Sequence, residues 1–221
     1  MFQIATTNLL AILLWGVVSA SALAAEAKSS PNVDLAEQGA SAMLMDLIKA
    51  FNGVTARFDQ RVIDASNQVV DESVGRLLLS RPNFRWQVDE PFEQVIVATG
   101  TQVQIYDPDL AQVTLLDFAD GLGTTPLMVL LGDTQALLRE FTVSQAEQNE
   151  QQRFLLYPKA DDSLFLQLEL RFKDSQLHYL SIWDSAGQLT RILFSELQVQ
   201  QPIAEQQFKL VLPPGTDVIR G

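Results

Sequence analysis

Residues Leu164 to Lys173 alternate without a break. Leu164, Leu166, Leu168, Leu170 and Phe172 occupy one set of alternate positions, and Phe165, Gln167, Glu169, Arg171 and Lys173 the other. A repeat of two belongs to an extended strand with one apolar face; a helix cannot gather those five side chains on one side. Shorter runs behave similarly at Val54–Ile63, Ser73–Ser80, Phe84–Val88, Gln94–Ala98, Gln102–Tyr106, Gln112–Leu116, Phe141–Ser144, Arg153–Tyr157, Leu177–Trp183, Leu189–Phe194 and Phe208–Leu212. Turn formers part them, among them Thr99-Gly100, Asp107-Pro108-Asp109, Ala160-Asp161-Asp162 and Ala186-Gly187. Connections this short favour an antiparallel meander over parallel units with crossover helices. Glu147–Gln152 is polar and reads as a hairpin loop.

Two segments break the period. Asp34 offers a helix N-cap, and Leu44, Leu47, Ile48 and Phe51 follow at the spacing of one helical face. Asn52-Gly53 stops it, glycine accepting the left-handed cap. Further on, Thr125 stands as a cap, Pro126 suits the first helical position and Gly132 the stop. Between them Leu127 to Leu131 are all apolar, so this short helix must be buried or must cover something apolar. A helical turn or two is expected from Asp133 to Glu140.

The ends of the chain carry different information. Leu9 to Val18 form a ten-residue apolar run, the length of a signal-peptide core and too short to cross a bilayer. Ala22 and Ala24 supply the small residues of a cleavage site, so residues 1–24 read as a signal peptide and 25–221 as a single domain. Residues 1–8 hold no Lys or Arg, an unusual start for such a segment. Residues 26–32 read as a polar lead-in. The formal charge of −12 opposes phosphate backbones and anionic headgroups, so no nucleic-acid partner is expected and any lipid must be held by apolar contact. The absence of cysteine excludes disulfides, thiolate metal sites and a lipid-bearing N-terminal cysteine.

Catalytic patterns are scarce. The single histidine, His178, lies in a strand-like run and reads as a half-exposed strand residue. No G-x-S-x-G elbow, H-E-x-x-H, EF-hand loop or phosphate loop occurs. Asp161-Asp162 and the Asp107/Asp109 pair sit with turn formers, where solvated carboxylates are common. No catalytic residue, metal or cofactor is expected. Arg81, placed before Pro82, is biased to an extended conformation at a strand end. It is either a solvated arginine or one whose five donors tie one element to another.

Between residues 58 and 113 the pattern becomes specific. Phe58-x-Gln60, Gly75-x-Leu77-x-Leu79-x-Arg81-Pro82, Phe84-Arg85-Trp86, Pro91-x-x-Gln94 and Tyr106-Asp107-Pro108-Asp109-Leu110-x-Gln112-Val113 stand in order, followed by Thr125 to Leu131 and Pro213 to Ile219. Together they resemble the LolA family across the whole mature chain. One residue, Asn83, separates Pro82 from Phe84, where that family usually has two. The resemblance implies an α+β fold: an incomplete, strongly curved antiparallel β-barrel of about 11 strands with a helical lid over an apolar cavity. It implies a periplasmic monomer that takes acylated lipoproteins from an inner-membrane Lol ABC transporter and passes them to the outer-membrane receptor LolB. Arg81 is implied to hold the lid closed. Phe58, Leu77, Leu79, Phe84, Trp86, Leu127, Met128, Leu130, Leu131, Leu166, Leu168 and Leu170 are implied to line cavity and lid. Leu127–Leu131 and Leu44–Phe51 are the two lid candidates. The alternatives are the receptor itself, which needs a cysteine, a LolA-like sensor module such as RseB, a lipid hydrolase, and a carrier of another lipid or glycolipid.

Overall fold

The computed structural model describes residues 31–117, 134–148, 151–199 and 202–220. Residues 1–24, read from sequence as a signal peptide, and the run Leu127–Leu131 lie outside them. Two α-helices are described, α1 (Pro31–Ala50) and α2 (Thr134–Glu140). Twelve strands form one sheet. They are β1 (Val54–Ile63), β2 (Val69–Ser80), β3 (Asn83–Glu90), β4 (Gln94–Thr99), β5 (Gln102–Asp107), β6 (Gln112–Asp117), β7 (Phe141–Gln148), β8 (Gln151–Pro158), β9 (Phe165–Lys173), β10 (Gln176–Asp184), β11 (Leu189–Val199) and β12 (Asp217–Arg220). Their spatial order is β12-β6-β5-β4-β3-β2-β1-β11-β10-β9-β8-β7, so β12 and β7 are edges and the sheet does not close on itself.

Every neighbouring pair is antiparallel except β12, which runs parallel to β6. The meander expected from the short connections is therefore present, with one long return from β6 to the β7 edge. The sheet curls. Val103 on β5, Leu77 on β2, Phe194 on β11, Leu168 on β9 and Val143 on β7 all belong to one buried cluster, which a flat sheet of this width cannot assemble. Helix α1 fills the inside of the curl with Ala40, Leu44, Leu47 and Ile48, continued by Phe51. That is one stripe of a 3.6-residue helix, as the sequence spacing requires.

Four expectations are corrected. Asp34 is not an N-cap: it lies within α1, which is already helical at Pro31. Phe208–Leu212 is not a strand. Glu205–Phe208 is a 3₁₀ turn, and Lys209–Leu212 has no regular structure. Ile203 and Phe208 bury themselves with Val95 and Val97 on the outer face of β4, so this segment crosses the strands as a strap instead of pairing with them. The strap delivers the chain to the far edge, where β12 brings the strand count to twelve, not eleven. Finally, Leu164 and Leu166 do not share the inner face of β9. Pairing with β10 shifts between Trp183–Gln167 and Asp184–Phe165, so Leu166 sits in a bulge and is 58% exposed. Phe165 packs against the core in its place.

Candidate functional site

The inner face is built by cross-strand register. Val54 opposes Leu79, Leu79 opposes Phe84, Leu77 opposes Trp86, and Phe58 opposes Gly75. Gly75 is the key to this patch. A Cβ there would lie 2.0 Å from the Gln87 carbonyl oxygen and 2.5 Å from the Phe58 ring. Without one, the Phe58 ring passes over the glycine and stacks on Trp86, centroids 3.5 Å apart and 13° from parallel. Phe84 continues the series at 6.5 Å and 9°. The shortened turn places these rings consistently: Ser80 and Asn83 close the β2–β3 hairpin around Arg81-Pro82, and Phe84 and Trp86 both point inward.

On the other wall Leu168 and Leu170 of β9 are buried beside an edge-on pair, Phe154 and Phe172, at 5.9 Å and 83°. Thus Phe58, Leu77, Leu79, Phe84, Trp86, Leu168 and Leu170 share one apolar cluster beneath α1. Leu166 lies outside it. Leu127, Met128, Leu130 and Leu131 fall outside the described residues. The inner face also draws on Phe172, which alternates with Arg171 and Lys173, and on Phe154 and Phe194, which sequence reasoning placed in strands without singling them out.

Arg81 joins this wall to the helix. Its Nη2 donates to the Ile48 carbonyl oxygen at 2.9 Å, and its main-chain N–H donates to Asn52 Oδ1 at 2.9 Å. Ile48 is in the last turn of α1, where carbonyls lack helical partners and a cation is favoured. Half-burial pushes the guanidinium pKa down, yet an arginine stays charged. Of the two readings open from sequence, Arg81 is thus the one that ties two elements together. Asn52 was read only as part of a helix stop. Its side chain proves to hold the turn that carries Arg81.

The other edge of α1 lies against β7. A groove of about 510 Å³ runs between the helix and β7, lined by Ala36, Glu37, Met43, Val143, Ser144 and Gln145. Val143 is also part of the inner cluster, so the groove borders the apolar interior. Met43 Sδ accepts from Gln145 Nε2 at 3.2 Å and Gln152 Nε2 at 3.4 Å, contacts of a soft and easily separated kind.

The groups weighed for chemistry are scattered. His178 is exposed on β10, Asp107 accepts from Gln94 Nε2 at 2.7 Å, and Asp161-Asp162 lie in a turn. Among the described residues the one deeply buried acid is Glu169, 1% exposed, on the outer face. Burial pushes its carboxyl up, but hydrogen bonds from Arg171 and Arg153, both at 2.5 Å, outweigh this and hold it below the usual value. Arg171 also lies over the Tyr179 ring at 5.1 Å. That cluster ties β8, β9 and β10 together and faces away from the apolar cluster. Among the described residues no group of three His, Cys, Asp or Glu is placed to hold a metal, and no helix is long and apolar enough to cross a membrane.

Comparison with known proteins matches this arrangement to one family. The family model described as "Outer membrane lipoprotein carrier protein LolA" matches residues 49–211. An outer-membrane lipoprotein carrier protein of Chromohalobacter salexigens is 36% identical over 186 residues, covering 84% of this chain and 89% of that protein. The protein of the same name from Hahella chejuensis is 41% identical over 180 residues, covering 80% and 86%. Among solved structures, an uncharacterized conserved protein from Thermus thermophilus shares the fold with a TM-score of 0.55 at 16% identity, covering 83% of this chain and all of that one. MucB shares it with a TM-score of 0.53 at 16% identity, covering 82% of this chain and 66% of MucB. The chain belongs to the LolA family of outer membrane lipoprotein carrier proteins.

Proposed function

We propose that this chain is a periplasmic, non-enzymatic carrier that shelters the acyl chains of lipoproteins against the inner face of its sheet. It would receive them from the inner-membrane Lol ABC transporter and pass them to the receptor LolB. Residues 1–24 would direct export and be removed. The observation that carries the reading is the pairing of a continuous aromatic and aliphatic wall with one amphipathic helix. That helix is fastened through Arg81 at one end and bordered by an open groove along its side. Such a pairing supplies what a carrier needs: a helix that can leave an apolar wall, and a polar tie that can re-form.

The energetics support a transfer function. Burying alkyl chain is favourable by roughly 0.8 kcal/mol per methylene, so a permanently open site would not release cargo. Here an incoming chain must displace α1 side chains and break the bond from Arg81 to Ile48. Both costs lower net affinity and favour hand-over to a better acceptor. Arg81 would act as the lock, and Leu127–Leu131 as a further cover.

The protein should be purified from periplasm and its co-eluting molecules identified by mass spectrometry. Triacylated lipoprotein is the expected result, and a free glycolipid would replace the cargo with another lipid. Arg81→Leu should retain bound lipoprotein and slow its delivery to LolB. Delivery at the normal rate would remove the lock from the mechanism. Leu130→Glu should reduce capture while leaving the circular dichroism spectrum unchanged, and unimpaired capture would remove the cover.

A further inference from the structure

The sheet has a split that its topology does not require. Strands β10 and β11 pair from Trp183–Leu189 only as far as Tyr179–Leu193. Beyond that point β10 follows β9 to Gln176–Lys173, while β11 follows β1 to Val54–Val199. Two irregularities open the gap. Pairing of β10 with β9 shifts between Leu177 and Tyr179, placing His178 in a bulge. On β11, Glu196 adopts φ 49°, opposite the shift between Thr55 and Arg57 on β1. Bulges bend their strands, and here they turn two neighbours apart.

The gap is a slot of about 310 Å³. Lys173, His178, Ser195 and Glu196 form its outer rim, and Leu177 and Phe194 its floor. Both floor residues are buried members of the inner cluster. The Phe194 ring meets Phe51 at 6.5 Å, so the slot reaches the interior beside the end of α1 that Arg81 fastens.

We infer that this slot is a side port for the far end of a bound acyl chain. The inference rests on the carrier reading above and adds a second opening to the same site. An alkyl occupant follows from three observations. The floor is apolar and continuous with the wall. The interior beneath α1 is closely packed, so a long chain needs somewhere to go once α1 side chains have given way. The bulges interrupt the regular edges that an added peptide strand would need. A chain entering by the groove beside β7 would run along α1, and its terminal methylenes would push the Phe194 ring aside.

Two stearates with a nitroxide at carbon 5 or carbon 16 distinguish the arrangement. The carbon-16 label should broaden the amide signals of His178 and Ser195, and the carbon-5 label should leave them sharp. His178→Trp, at an exposed position, should weaken stearate binding about tenfold, the worth of roughly two methylenes, and decanoate binding less than about twofold. Ser66→Trp, in the exposed β1–β2 turn, should change neither. If stearate binds but the carbon-16 label broadens only amides elsewhere, or if His178→Trp weakens both acids equally, the port is refuted and the carrier reading stands. If neither acid binds the unaltered protein, both fall.

Discussion

Helix α1 is held differently along its two halves. Toward its C-terminus Leu44, Leu47 and Ile48 are buried, Phe51 packs toward Phe194, and Arg81 bonds the Ile48 carbonyl. Toward its N-terminus Leu35 is 66% exposed, and on the side facing the β7 groove Met43 is 40% exposed. The same helix thus has an anchored end and a loose side. The loose part can open at little cost in buried area, whereas opening the anchored end must also break the bond from Arg81 to Ile48.

The strongest way to break this asymmetry is at its anchor. Ile48→Ala removes a side chain that is 1% exposed from beneath the helix. It should cost about 3 kcal/mol in urea denaturation, the usual range for a buried isoleucine. Met43→Ala, on the groove side of the helix, should cost less than about 1 kcal/mol. Equal losses would mean that the anchored end and the groove side are held alike.

Arg81→Leu tests the polar part of the anchor alone. It removes a charge-assisted bond to a helix-end carbonyl and should cost about 2 kcal/mol. Its signature is local: amide exchange should quicken at residues 47–51 and stay unchanged in β9. Faster exchange spread through the whole sheet would show that Arg81 supports the fold in general and not the helix end.

The contrast between the halves of α1 was only partly legible in sequence. The apolar stripe Leu44, Leu47, Ile48 and Phe51 and the stop at Asn52-Gly53 marked the anchored half, and β1 was readable to its bounds because alternation and a glycine delimit it. Arg81 was visible as unusual, but its partner is a main-chain carbonyl, which no side-chain pattern records. Gly75 stood in plain sight, yet its need follows from the ring of Phe58 one strand away. Phe208, Leu210 and Leu212 alternate like a strand. They form a strap because the outer face of β4 is apolar as well, with Val95 and Val97 buried there. β12 gave no signal, since all four of its residues are exposed and its parallel partner is distant in sequence. Leu166 misled because a bulge shifts phase without altering the sequence pattern.

The smallest expected effect sharpens the comparison from the other side. Gly39 lies in the exposed part of α1, and a Cβ added there meets nothing within 4 Å. Gly39→Ala should therefore gain about 0.5–1 kcal/mol of helix stability by propensity alone. If the loose half of α1 frays as a unit, the gain should slow amide exchange at residues 35–43 and leave residues 47–51 unchanged. If opening of that half admits cargo, a stiffer helix should also slow the capture of lipoprotein while leaving its final extent nearly unaltered. Slower exchange without slower capture would separate fraying from entry, and would move the route of entry away from the groove between α1 and β7.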